Sequence, residues 1–332
     1  MSVAAPQRDR LRGIGRSAAG WSMGSRYAAV LVLLVGMAIV FATVEGAKFL
    51  SRPNLENLLA SVSILWVVSM GMTFVVITGG IDLSVGALLA LSGLVLAKLF
   101  ASVGLPALLA VVLTILIGAL IGAAVNGMLI GKAALSFFVV TLGTASLYQG
   151  IVSIWSQTKT AYIDSTLIDG IGFGSLLGLS TPIWIMAGVF LVAFAVLRWT
   201  YFGRDVYAVG GNADAARLSG IDVTRTLVAV YGIVGACAAL AGVIQAGRLG
   251  AASPIVGADI PLGAAAAVLL GGTSFSGGVG GVTGTAVGVL FIGTLQNGLA
   301  IRGISSFWQQ VVIGVILILA VGIDRIQQRR SA

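Results

Sequence analysis

Few residues in this chain could do chemistry. There are eleven acids, nineteen Lys and Arg, one cysteine and no histidine. The missing histidine removes His-based triads, His metal sites and His proton relays together. Cys237 has no partner for an intrachain disulfide and reads as a small packing residue in an apolar run. Gly127-Met128-Leu129-Ile130-Gly131-Lys132-Ala133 has the outline of a phosphate-binding loop. That loop needs four residues between its glycines and Ser or Thr after the Lys. Here Ala133 follows Lys132, which is better read as an anchor at a membrane surface. One acid stands out: Asp82, in Gly79-Gly80-Ile81-Asp82-Leu83-Ser84, beside a glycine break between two apolar runs. Such an acid is either a cation or proton site or an N-cap for the next helix, with Leu83-Ser84-Val85 as its first turn. No catalytic group, metal-ligand set or cofactor motif is legible elsewhere.

The second polar feature is a whole stretch, residues 201–225, YFGRDVYAVGGNADAARLSGIDVTR. With the adjacent Arg198 it carries Arg204, Arg217 and Arg225. Asn212 is a good N-cap, and Asp214 falls in the first turn, near the positive end of the helix dipole. Ala213 to Ser219 favours helix, and Gly220 sits where a C′ residue with positive φ is needed. A helix of about two turns is marginal alone in water. It needs something to dock against.

The elements that must position these residues are membrane spans. The chain is 58% hydrophobic and 9% charged, with mean hydropathy +1.08. A soluble domain carries about 25% charged residues. Repeated apolar runs of about 20 residues predict an all-α, polytopic helical bundle of about ten transmembrane helices. The spans fall at about 27–46, 57–78, 83–102, 105–130, 136–155, 182–200, 226–246, 282–300 and 306–323, with a short eighth run at 262–270. Pro53 reads as a stop after the first span, and Asn54 or Asn57 as the cap of the second. The organisation is a basic tail at 1–26, a permeation domain at 27–324 holding the polar loop 201–225, and a tail at 325–332. The N-terminal arginines resemble a signal n-region, but the following span has no small-residue cleavage site and reads as retained. Thirteen of the nineteen basic residues lie on the side of the two tails and the polar stretch, which puts both termini in the cytoplasm. The net charge of +8 therefore reports topology, and no basic face suggests nucleic acid.

Two Gly-Gly breaks, at Gly79 and Gly271, are each followed by an Asn-Gly pair, Asn126-Gly127 and Asn297-Gly298, which hints at an internal duplication. Gly118-x-x-x-Gly122 and Gly284-x-x-x-Gly288 signal close helix packing.

Together these stretches resemble a known family. Gly79-Gly80-Ile81-Asp82-Leu83-Ser84-Val85-Gly86 is similar to the GIDLSVG signature of the ribose-type permeases of bacterial ABC importers. Asn126-Gly127 with Thr141-Leu142-Gly143-Thr144, Gly210-Gly211-Asn212 with Ala215 and Arg217-Leu218-Ser219-Gly220-Ile221, and Leu270-Gly271-Gly272-Thr273-Ser274 with Gly277-Gly278 resemble it too, in the same order, from about Pro53 to Asp324. The resemblance implies a multi-pass permease subunit of the bacterial inner membrane, not itself an enzyme. It implies a second permease copy, identical or different, cytoplasmic ATP-binding subunits and an extracytoplasmic sugar-binding protein as partners. It makes Gly211, Asn212, Asp214, Ala215, Arg217, Leu218, Ser219 and Gly220 the coupling site for the ATPase. Asp82, Ser84, Asn126, Gly271, Gly272, Thr273 and Ser274 then mark the pathway or its structural breaks. Trp66, Phe74, Tyr148, Trp155, Phe275, Phe291, Phe307 and Trp308 could line a sugar-sized cavity, most of them serving as packing or interfacial belt. The chain departs from the family pattern twice: Ala213 stands where Glu is usual, and Pro261-Leu262-Gly263 where Glu-Leu-Asp is usual. The implied solute is a monosaccharide or related polyol, with nucleosides as an alternative. The rival classes are an ion-coupled secondary transporter, for which Asp82 would be the coupling site, and a channel, for which no ring of selective groups is legible.

Overall fold

A computed structural model describes residues 28–331, with side chains to residue 322. The basic tail at 1–26 lies outside the described residues.

In chain order the helices are α1 (Ala28–Glu45), α2 (Ala47–Leu50), α3 (Arg52–Ile77), α4 (Val85–Ala97), α5 (Ala107–Ile121), α6 (Met128–Gly131), α7 (Phe137–Ser156), α8 (Thr166–Phe173), α9 (Thr181–Trp199), α10 (Tyr201–Gly211), α11 (Ala213–Leu218), α12 (Val223–Leu249), α13 (Ile260–Leu270), α14 (Val282–Ile301) and α15 (Ser306–Ser331). π-type turns at Lys98–Ser102 and Gly122–Gly127 extend α4 and α5. Two small antiparallel pairs join them, β1 (Ala161–Tyr162) with β4 (Ala251–Ala252) and β2 (Ser175–Leu176) with β3 (Leu179–Ser180). The last helix runs on through the segment 325–331 that the sequence suggested as a tail.

Among the described residues, eight helices are long and apolar enough to cross a membrane, and two shorter apolar ones, Ile260–Leu270 and Ser306–Gly322, accompany them. At about 1.5 Å per residue, α13 reaches only about half of a ~30 Å hydrocarbon core. Its approach, 253–259, is irregular backbone. Such backbone is tolerated at membrane depth only when covered by protein or lining a cavity. Here Gly257, at φ +86°, packs against Gly86 at the start of α4, so closely that a methyl group on Gly86 would overlap the Gly257 carbonyl. Two interrupted segments thus cross backbone to backbone.

The core is built around α12, which packs against α3, α4, α5 and α8. Small residues permit this: a methyl group on Gly122 would overlap the Tyr231 carbonyl, and one on Gly118 would overlap Ala239. Gly284 and Gly288 bring α14 onto α13 in the same way. Both glycine pairs therefore do what their spacing suggested. α3 and α4 are largely buried, while α1, α5, α7 and α9 turn apolar side chains outward. That distribution suits a bundle whose outer helices face lipid.

The start of α3 differs from the sequence expectation. The N-cap is Ser51, whose hydroxyl accepts from the Asn54 N–H, and Pro53 lies in the first turn. Proline is no stop there, because first-turn N–H groups have no intrahelical acceptor to lose. Asn54 instead trades reciprocal side-chain hydrogen bonds with Asn297 at 3.1 and 2.9 Å, fastening α3 to α14.

Candidate functional site

The polar stretch forms two helices where the sequence suggested one. Thr200 caps α10 by accepting from the Gly203 N–H at 3.0 Å. Asn212 ends α10 and caps α11, its side-chain oxygen accepting from the Ala215 N–H at 2.9 Å. The Ser219 hydroxyl donates to the Ala215 carbonyl, and Gly220 leaves the helix at φ +86°. Ala216 is buried against Val209 and Val223, which fixes the inner side of α11. The outer side carries Leu218, 91% exposed, and the exposed Asp214–Arg217 pair at 3.2 Å. An exposed pair of this kind contributes about 0–1 kcal/mol. Its charges are free to meet another surface. Alternation of buried and exposed residues makes α10 amphipathic, and that signal was available in Val206 and Val209 against Arg204 and Asp205.

The stretch is joined to the two glycine breaks. The Gly278 N–H donates to the Ile77 carbonyl at 2.8 Å, tying the turn after α13 to the end of α3. A methyl group on Gly210 would overlap that same Ile77 carbonyl. The Tyr207 hydroxyl donates to the Gly280 carbonyl at 2.8 Å. Three segments therefore meet through backbone atoms: the end of α3, the end of α10 and the turn 271–281. Gly271 is the C-cap of α13, Thr273 and Ser274 are buried, and the Thr273 hydroxyl accepts from the Gly281 N–H at 3.4 Å.

The other break is a closed polar knot. Asp82 Oδ1 accepts from the Ser84 N–H at 2.8 Å and the Ser84 hydroxyl at 2.6 Å. The Asn126 amide nitrogen donates to Asp82 Oδ2 at 3.2 Å and to the Ser84 hydroxyl oxygen at 2.8 Å. All three side chains are fully buried. Asp82 is not the N-cap of α4; Ser84 occupies that place, and the carboxylate receives its N–H from two residues upstream. The aspartate turn bends the chain before the helix begins, so the helix starts at Val85 and not near 83. Asn126 brings the π-type turn of α5 onto the α3–α4 break. Asn297 has a different partner, Asn54, so the two Asn-Gly pairs are not structurally equivalent.

Between α3, α12, α13 and α14 lies a cavity of about 470 Å³. Its polar lining comes from Gln245, Arg248 and Gln296, with Ser61 and Asp259 at its edge and Phe173 of α8 beside them. The Arg248 guanidinium donates to the Ala60 carbonyl at 2.6 Å and reaches the Ser61 hydroxyl at 3.5 Å. None of Asp82, Ser84, Asn126 or Gly271–Ser274 borders this cavity.

A family model described as the permease component of branched-chain amino acid transport systems matches residues 54–321. The chain belongs to this permease family. It is 41% identical over 312 residues to the ribose import permease protein RbsC of Escherichia coli (strain K12), covering 93% of this chain and 95% of that one. It is 43% identical over 296 residues to RbsC of Bacillus subtilis (strain 168), covering 86% and 89%, and 38% identical over 303 residues to the D-allose transport system permease protein AlsC of Escherichia coli (strain K12), covering 91% and 92%. No solved structure matches.

Several polar residues of this permease carried only a weak mark in the sequence. Gln245 and Arg248 are one turn apart on one face of α12, and Gln296 interrupts an apolar helix. Amides inside spans were the available signal. The sequence places Arg248 in the loop after the seventh span, but α12 runs to Leu249 and holds it half-buried in the last turn. The aromatics divide between packing and outward-facing positions, as was expected of most of them. Trp66, Phe74 and Tyr148 are core residues, with the Trp66 ring N–H on the Met186 carbonyl. Trp155, Phe307 and Trp308 are exposed. The ring at the cavity is Phe173, outside that set.

Proposed function

We propose that this permease is the membrane subunit of a bacterial ABC importer that moves a monosaccharide or related polyol, with ATP hydrolysed by a separate cytoplasmic subunit. It works in the inner membrane, with both ends in the cytoplasm, beside a second permease copy and an extracytoplasmic sugar-binding protein. The observation that carries the reading is α11: a capped two-turn helix whose outer face shows Leu218, Asp214 and Arg217, joined through Gly210 and Tyr207 to both glycine breaks. Its relatives named for ribose, D-allose, L-arabinose and xylose transport support the solute class.

The mechanism follows from that connection. α11 docks in the ATPase, and closure of the ATPase pair pushes on α10 and α11. The end of α10 bears on the Ile77 carbonyl and, through Tyr207, on the Gly280 carbonyl, so the push is delivered to α3 and to the turn before α14. Packed helices then tilt as bodies between outward-open and inward-open arrangements. Ala213 leaves the acid of α11 at Asp214, one position further along the helix, so the contacted ATPase group shifts round by about 100° of helix.

Arg217→Glu combined with Gly220→Pro is expected to abolish co-purification of the ATPase subunit while the permease still reaches the membrane. Retained association would overturn the coupling role. Accumulation of sugar against its gradient by the purified chain, with no ATPase present, would favour an ion-coupled transporter instead.

A further inference from the structure

We infer that the cavity between α3, α12, α13 and α14 is a resting site for one neutral polyhydroxylated solute inside the permease, read by the amides of Gln245 and Gln296. This inference rests on the importer reading above and adds to it the residues that meet the solute. The cavity measures about 470 Å³, within the ~300–1,000 Å³ of small-molecule sites.

Three observations point to such an occupant. First, both glutamines are half-buried in membrane-length helices, and among the described residues no hydrogen bond joins either amide to another protein group. Polar side chains within spans face a partner or a wet cavity, and here they face the cavity. An amide offers both a donor and an acceptor, which is the pairing a sugar hydroxyl needs. Second, the charges at the cavity do not ask for an ion. Its lining carries one charge of each sign, Arg248 and Asp259, and the Arg248 donors are oriented by the Ala60 carbonyl and the Ser61 hydroxyl. Third, Phe173 gives an apolar ring at one side, suited to the C–H face of a pyranose or furanose. The floor is Gly257, whose crossing with Gly86 separates this cavity from a second one lined by Gln149 and Ser146. The resting site therefore sits directly beside the place where two interrupted segments cross.

The test uses proteoliposomes holding the whole importer, with ATP enclosed and the binding protein outside. The probes are labelled D-ribose, D-allose, L-arabinose, D-xylose and L-leucine. Gln245→Leu and Gln296→Leu keep side-chain bulk and remove the amides. Each is expected to lower the maximal uptake of the transported sugar about tenfold, the value of roughly one lost hydrogen bond, and to change the order of preference among the sugars. ATPase co-purification and ATP hydrolysis should stay within about twofold of wild type, which a merely unfolded variant would not allow. Gln296→Asn should recover part of the uptake. Wild-type vesicles that take up none of the sugars overturn the importer reading and the resting site with it. Wild-type sugar uptake with unchanged rate and preference in both Leu variants overturns the resting site alone. Uptake of leucine in place of the sugars would show a zwitterion site and overturn the neutral-solute assignment.

Discussion

Asp82 illustrates how much a single buried acid depends on its donors. Its carboxylate receives three hydrogen bonds, two from Ser84 and one from Asn126. A buried charge left without such partners costs several kcal/mol. The knot therefore reads as a fastening, holding the α3–α4 break to α5. Asp82→Asn places an amide nitrogen against either the two Ser84 donors or the Asn126 amide, so at least one donor loses its acceptor. The expected cost is about 1–3 kcal/mol, visible as a lower melting temperature in detergent, with ATP-driven uptake reduced but present. Complete loss of uptake in a variant that folds and assembles normally would revive the ion-site reading. The same residue scale explains why Leu218 is informative. At 91% exposure on a helix of six residues, beside Asp214 and Arg217, it gives the outer face of α11 an apolar group that a docked surface could cover.

At the scale of elements, the decisive contact is between α10 and the end of α3. Gly210 and Gly211 are neighbours in the chain with opposite surroundings. Beyond Gly210 lies the Ile77 carbonyl, while a methyl group on Gly211 would meet nothing within 4 Å. Gly210→Ala is expected to force the α10 end away from α3 and to uncouple ATP hydrolysis from uptake. Gly211→Ala should behave close to wild type. Equal behaviour of the two in a coupled uptake and hydrolysis assay would argue against a push transmitted through this junction. α13 makes the complementary point. Its eleven residues are too few to cross alone, and it is kept in place by α14, α3 and α15. The glycines of α14 are what let that helix approach it closely.

For the whole molecule, the crossing of Gly86 and Gly257 joins the start of α4 to the approach of α13, beside the direct packing of α3 on α13 and α14. Gly86→Ala inserts a methyl into the Gly257 carbonyl, an overpacking that typically costs about 1–3 kcal/mol. The expected result is a permease that still inserts but melts earlier and loses uptake in proteoliposomes. Unaltered melting and uptake would mean that the two interrupted segments separate freely during the cycle. With α1, α5, α7 and α9 turning apolar side chains outward and α12 at the centre, a tilt of the inner helices would work against these close glycine contacts.

Hydropathy alone determined the all-α membrane bundle, because runs of about twenty apolar residues have few other stable fates. The cap at Asn212 and the turn at Gly220 were also legible, since they depend on neighbours a few residues away. So were the glycine pairs of α5 and α14, though not the helices they would face. The junction of Ile77, Gly210 and Gly278, the union of Asp82 with Asn126, and the placing of Gln245 and Gln296 around one cavity were decided only by the tertiary structure. Each joins residues far apart in the chain, and none of them carries a local mark of its partner. A glycine in a span shows that something can come close, and an amide in a span shows that something polar must be met. Which atom arrives is fixed by how the helices pack, and that packing is the sum of many small apolar contacts no single stretch encodes.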